Sequence, residues 1–232
     1  MLISGANRGI GLELARQYAV DGWRVHATVR KSSSDADLKI VDGDVQIHSV
    51  DVTDDTETTS LAAALSGEPI DILWCNVGHG GDGSDGVEFG SIAADQWLDL
   101  FRVNTVATIM LIERLLDRVQ MSDLKTIAVV SSRAGSISER GSLPYHRPGG
   151  NTAYRSSKAA LNAAVKGLAF DLKDEGVRVF AIHPGRVRTR LGGQNADLDT
   201  ATSVAGIRQV AEQPDKFPTG NFYNYDGSII SW

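Results

Sequence analysis

Cysteine is nearly missing from this sequence. Cys75 is the only one in 232 residues, so no internal disulfide can form and a reducing compartment is expected. Apolar runs of the roughly 20 residues needed to span a bilayer are missing too. The opening Met1-Leu2-Ile3-Ser4-Gly5 has no basic segment followed by an apolar export region, which makes a cytoplasmic protein the expectation. Excess positive charge is lacking: 23 Lys and Arg against 29 Asp and Glu give a net −6, which disfavours nucleic acid and acidic membranes as partners. The five histidines are scattered, with no H-E-x-x-H and no Cys/His cluster, so no metal site is expected. No repeat, low-complexity tract or linker divides the chain, and residues 1–232 read as one domain.

What is present is a regular alternation. Short β-branched runs at Met1–Ile3, Arg24–Val29, Val45–Val50, Ile70–Cys75, Lys125–Ser131, Val177–His183 and Asn221–Tyr223 read as strands. Between them, Ile10–Val20, Thr56–Leu65, Ala94–Phe101, Val106–Val119, Ala153–Asp174 and Ala201–Ala211 read as helices. Repeated βα units of this kind build a parallel sheet covered by helices on both faces, an α/β fold. Two Gly-rich or polar stretches, Gly78–Gly90 and Arg133–Asn151, follow predicted strands. They fall at the carboxyl edge of the sheet, where open α/β sheets bind ligands.

The first βα junction reads Ser4-Gly5-Ala6-Asn7-Arg8-Gly9-Ile10-Gly11. Its G-x-x-x-G-x-G spacing lets Gly5 take a tight turn, Gly9 admit a pyrophosphate and Gly11 pack the helix closely on the sheet. The helix N-terminus then offers free N–H groups to phosphates. The second strand ends in Arg30-Lys31, where an NAD-selective site carries an acidic residue. With Arg8, these cations attract a 2′-phosphate, which favours NADP over NAD; a solvated basic strand end is the alternative. Asp51, followed by Val52, is placed to accept from the adenine amino group.

Tyr154 and Lys158 lie four residues apart on a predicted helix, hence on one face. A neighbouring cation lowers a phenol's pKa; three units of lowering correspond to about 4 kcal/mol. By itself Y-x-x-x-K is a common helical spacing. Ser132 in isolation could end a strand, and Asn104 could cap a helix.

Taken together, these residues resemble the short-chain dehydrogenase/reductase family over the whole chain. The glycine loop matches, and Cys75-Asn76-Val77-Gly78 stands where the family has N-N-A-G. Asn104 matches the helix-borne Asn, Ser132 the active-site Ser after the fifth strand, and Tyr154 with Lys158 the central pair. Pro184-Gly185-Arg186-Val187-Arg188-Thr189 matches the segment that closes over the nicotinamide. Several stretches, among them the ending Gly220–Gly227, look like the C-factor and sniffer-type branch.

The resemblance implies a single-domain Rossmann fold, a doubly wound parallel sheet of about seven strands in the order 3-2-1-4-5-6-7. It implies a carbonyl or alcohol substrate, with Tyr154 as acid/base and Ser132 polarising the carbonyl. It also implies that Lys158 lowers the tyrosine pKa and binds the nicotinamide ribose, while Asn104 holds a relay water. The cofactor set it implies adds Asn7, Ile10, Val52, Asn76, Gly78, Pro184, Gly185, Val187 and Thr189 to the residues already named.

Departures from the family pattern are few. Cys75 is expected to act as a small buried hydrophobe. The Ser132–Tyr154 gap is longer than usual, and its Leu143, Tyr145 and His146 could wall a substrate pocket or simply face solvent. The region after Thr189 is short, suggesting an open, tolerant pocket. Arg186, Arg188 and Arg190 read as a solvated rim, with contact to an acidic substrate as the alternative. The helix Ala153–Asp174 is apolar almost all round and with Val106–Val119 suggests a homodimer. A signalling protein or a redox-sensing regulator built on the same fold stands as the alternative to an enzyme.

Overall fold

A computed structural model describes residues 1–31, 35–80, 93–141 and 151–232. Leu143, Tyr145, His146 and most of the Gly78–Gly90 stretch therefore lie outside the described residues. The strands are β1 (Leu2–Ile3), β2 (Val25–Val29), β3 (Val45–Ser49), β4 (Ile72–Cys75), β5 (Thr126–Val130), β6 (Arg178–His183) and β7 (Phe222–Asn224). They form one sheet in the order β3-β2-β1-β4-β5-β6-β7, parallel throughout.

The helices are α1 (Gly9–Val20), α2 (Ala36–Lys39), α3 (Asp55–Ala64), α4 (Ala94–Phe101), α5 (Ala107–Gln120), α6 (Thr152–Asp171) and α7 (Thr200–Glu212). Successive strand residues point to opposite faces, and this divides the core in two. Ile3, Trp74, Ala128 and Phe180 meet Leu14 and Tyr18 of α1 and Val204 and Ile207 of α7 on one face. Leu2, Leu73, Ile127 and Val179 meet Leu111 and Leu115 of α5 and Leu161 and Val165 of α6 on the other. Both faces being covered, the central strands are buried along their length, as parallel sheets require.

Element boundaries follow the sequence reading to within two or three residues. Helix α6 stops at Asp171, three residues before the expected Asp174, where the chain turns back through Gly176 into β6. Three short elements were not anticipated: α2, a π-helical turn at Arg102–Val106, and a 3₁₀ turn at Arg133–Gly135. The last two turn out to carry site residues.

Candidate active site

The chain leaves β1 into a turn held from both sides. Gly5 adopts φ +69°, and its N–H donates to Thr28 Oγ1 at 3.2 Å. Helix α1 then starts so close that a Cβ on Gly11 would stand 2.3 Å from the Gly5 carbonyl oxygen; only glycine fits there. Asn76, at the end of β4, donates from Nδ2 to the carbonyls of Ser4 (3.2 Å) and Gly5 (3.0 Å). Its side chain thus braces the glycine loop from behind. No side chain caps α1 and no acid sits in its first turn, so its N–H groups and positive dipole end suit an anion.

Beside β2 and β3, a cavity of about 400 Å³ is lined by Arg30, Lys31, Asp51, Thr53, Asp54, Glu57 and Arg102. Lys31 is committed elsewhere, its Nζ donating to Glu57 at 2.7 Å. Glu57 in turn accepts from the Asp51 N–H at 2.7 Å. Burial works to raise the Asp51 carboxyl, but bonds from Thr53 at 2.9 and 2.8 Å and the charges of Arg30 and Arg102 hold it below its usual range. Arg30 is exposed and, among the described residues, has no such partner. Arg102 is the residue that the sequence reading missed; only its place two residues before Asn104 hinted at it. Arg8 is exposed at the start of α1 and is not part of this lining. The Val52 side chain is buried in the core, leaving only its main chain toward a ligand.

At the end of β5 two adjacent serines face different ways. Ser131 Oγ is buried and bonds Asn162 of α6 at 2.5 Å. Ser132 opens the 3₁₀ turn, where its Oγ accepts from the Ala134 N–H at 3.2 Å, and its hydroxyl works to lower the Tyr154 phenol. Of the two serines, Ser132 is the one whose hydroxyl acts on Tyr154, while Ser131 is engaged by Asn162. Gly135, the last residue of that turn, lets α6 approach: a Cβ there would lie 2.7 Å from the Lys158 carbonyl carbon. The turn thereby sets the depth at which Tyr154 and Lys158 stand.

Lys158 is 4% exposed, and its Nζ donates to the Val130 carbonyl at 3.2 Å. Burial pulls its amine down to about 8. Burial also raises the Tyr154 phenol above its ordinary value, with Ser132 and then Arg155 pulling it partly back. The expected lowering by Lys158 is not met, because desolvation outweighs charge attraction when the cation is itself buried and turned toward a carbonyl.

Asn104 is fully buried within the π-helical turn. Its Oδ1 accepts from the His79 N–H at 2.9 Å; its Nδ2 donates to the His79 carbonyl and to Ser157 Oγ, both at 3.0 Å. Ser157 donates to the Tyr154 carbonyl at 2.8 Å. Asn104 thus ties the strand-end segment to α6 by its side chain. Gly78 lies against both: a Cβ there would meet Asn104 Oδ1 at 3.2 Å and Lys158 Nζ at 3.4 Å.

The segment after β6 crosses the same edge. The Pro184 carbonyl is held by Ser203 at 2.6 Å, Gly185 takes φ +83°, and buried Val187 bridges to Leu198. Thr189 reaches Gly9, and Leu191 reaches Gly80. Short as it is, this segment runs between the glycine loop and Gly80. Arg186, Arg188 and Arg190 are exposed, and Arg188 pairs with Asp199 at 3.6 Å. Cys75 is buried with its thiol pushed up to about 12, an inert apolar filler. Among the described residues no group of three His, Cys, Asp or Glu could hold a metal, and no helix is long and apolar enough to cross a membrane.

A phosphate-suited loop and half-buried Ser132 and Tyr154 beside a buried Lys158, sharing one sheet edge, fit a dinucleotide-using oxidoreductase of the Rossmann class. The comparisons agree: the short chain dehydrogenase family model matches residues 1–199, and the chain belongs to that family, whose members use a nicotinamide cofactor. C-signal of Myxococcus xanthus is 32% identical, over 69% of this chain and 86% of its own. The carbonyl reductase Sniffer of D. melanogaster superposes with TM-score 0.85 at 28% identity, covering 100% of this chain and 98% of that one. An NADPH-bound carbonyl reductase from chicken fatty liver gives 0.85 at 25% identity, covering 100% and 93%.

Proposed function

We propose that this oxidoreductase is an NADP(H)-dependent carbonyl reductase in which Tyr154 is the acid/base. The observation that carries the proposal is the grouping of Ser132, Tyr154 and a buried Lys158 where the fold brings β5 and α6 together. The residues present fit the cofactor: an uncapped α1 start for the pyrophosphate, and Arg30 in the cavity beside Asp51 for the adenosine end, with Arg102 next to it paired to Asp99 at 3.0 Å. When bound, the nicotinamide exchanges a hydride with the substrate carbon.

The chain's own part is the proton. Because burial keeps the Tyr154 phenol protonated at neutral pH, it enters the reductive direction ready to give its proton to the carbonyl oxygen. Ser132 Oγ, already accepting from Ala134, has its O–H free to hydrogen-bond that oxygen and fix it. Lys158, an ammonium below about pH 8 and one helical turn from Tyr154, is the residue we assign to the nicotinamide ribose. Asn104 has spent its side chain on His79 and Ser157, so a relay water would have to use its main-chain carbonyl. Of the remaining candidates, Asn7, Ile10 and Gly9 offer main chain at the loop, while Pro184, Gly185, Val187 and Thr189 close over it.

Arg30 is the residue we assign to the 2′-phosphate, with Lys31 held back by Glu57. NADPH and NADH oxidation followed against a panel of aldehydes and ketones tests this. Wild type should prefer NADPH, and Arg30→Ala should raise the KM for NADPH about tenfold or more, the scale of one charge-assisted contact, while NADH changes little. A wild-type preference for NADH would refute the assignment. The C-signal relative favours a second reading, a cofactor-binding signalling or sensing protein. Tight NADPH binding without turnover on any carbonyl would select it.

A further inference from the structure

The turn that begins at Ser132 is a weak element for the work assigned to it. It spans three residues. The Gly135 N–H donates to the Ser132 carbonyl at 2.8 Å, and the Ser136 N–H donates to the Arg133 carbonyl at 3.0 Å. Bonds of this i→i+3 kind have poorer geometry than those of an α-helix, so a single such turn needs outside support to keep a side chain in one place. Gly135 supplies one fixed point, against Lys158 of α6.

A second fixed point comes from the segment after β7. There the chain turns and runs back along the strand: the Ile230 N–H donates to the Phe222 carbonyl at 2.8 Å, and Ile229 bridges Tyr223 in the antiparallel sense. Ile230 is buried. Trp232 stacks on Phe222 with ring centres 5.5 Å apart. The Lys166 ammonium of α6 lies 5.6 Å from the Trp232 ring centre and donates to the Gly220 carbonyl at 2.6 Å. Stacking and cation–π contact thus anchor this segment on β7 and α6 together.

The anchored segment accepts three hydrogen bonds from the loop that leaves the Ser132 turn. Ser136 Oγ donates to the Ser231 carbonyl at 2.6 Å. Ser138 donates twice to the Trp232 carbonyl, from Oγ at 2.8 Å and from its N–H at 3.2 Å. Ser136 is buried, and its Oγ also accepts from the Glu139 N–H at 3.1 Å. Glu139 pairs back with Arg133 at 2.8 Å, closing residues 133–139 on themselves. The hold on residues 231 and 232 therefore reaches Arg133, the residue after Ser132, through direct contacts.

We propose that residues 230–232 are a positioning element of the active site, holding the Ser132 turn against α6 through Ser136 and Ser138. This rests on the reductase reading, in which Ser132 fixes the carbonyl oxygen. Because α6 carries Tyr154, the segment ties the serine and the tyrosine to one frame. Loosening it costs turnover rather than cofactor binding, since the glycine loop follows β1 and three strands separate β1 from β7.

The test compares wild type with Trp232→Ala and with Trp232→Phe, which keeps a stacking ring. Amide hydrogen exchange on the cofactor-free protein should be faster over residues 134–139 in Trp232→Ala and close to wild type in Trp232→Phe. With benzaldehyde as substrate, kcat should fall about ten- to hundredfold in Trp232→Ala while the Kd for NADPH stays put, and Trp232→Phe should recover most of the loss. Unchanged exchange in Trp232→Ala overturns the proposal, as does faster exchange with an unaltered kcat. A loss of NADPH affinity matching the loss of kcat also overturns it, because general loosening then explains both. Should Trp232→Ala not fold, Ser138→Ala, which removes one exposed bond to Trp232, takes its place under the same criteria. If wild type turns over no aldehyde, the reductase reading fails and the exchange comparison alone decides whether the segment holds the turn.

Discussion

Lys158 holds a titratable amine at 4% exposure, with a hydrogen bond to Val130 and, among the described residues, no carboxylate paired with it. Its amine falls from 10.5 to about 8 on folding. Between those values the unfolded chain binds more protons than the folded one, so this group's contribution to stability rises with pH across that window. Below pH 8 the full cost of burying the charge is present. Lys158→Met removes the charge, so at pH 7 it should stabilise the protein by about 2 kcal/mol, after allowing for the lost bond to Val130. Chemical denaturation from pH 7 to 10.5 should show that advantage shrinking as pH rises; a destabilised variant at pH 7 would contradict it. Residue types were legible in the sequence but their environments were not. Lys31 and Arg30 look alike on the page, and Glu57, which occupies one of them, lies 26 residues away. The direction in which Tyr154 shifts depends on burial, which appears only when α6 meets β5.

Among the elements, those with a repeating pattern were readable and those made by tertiary contact were not. β-branched runs marked the seven strands because a buried parallel strand needs them. The π-helical turn carrying Asn104 has no periodic signature; what holds it is the clamp on His79 and Ser157. The 3₁₀ turn at Arg133–Gly135 is likewise fixed by Ser132 and by the approach of α6. That approach can be tested alone. Gly135→Ala puts a methyl 2.7 and 2.8 Å from the Lys158 backbone carbonyl and 2.9 Å from its Cβ, and α6 must move. We expect about 1–3 kcal/mol of destabilisation in thermal unfolding and a fall in kcat larger than any change in NADPH affinity, because α6 carries Tyr154. An unchanged melting temperature and kcat would show that the turn does not set the depth of α6.

For the whole molecule, α6 and the turn leading into α5 are among the elements that leave apolar surface exposed. The outer face of α6 shows Ala163, Gly167 and Phe170 to solvent, Phe170 at 66%, and Val106 beside α5 is 53% exposed. These are the helices from which a homodimer was expected, and we propose that they pair about a two-fold axis. Light scattering at micromolar concentration should return twice the chain mass, and Phe170→Glu should shift it toward one; a monomeric wild type would refute the dimer. The central claim concerns the chemistry that the fold assembles, and Tyr154→Phe tests it most directly because it removes one hydroxyl and little else. With NADPH still bound and a carbonyl substrate present, kcat should drop by about two to four orders of magnitude. Turnover within a few-fold of wild type would mean that Tyr154 does not supply the proton.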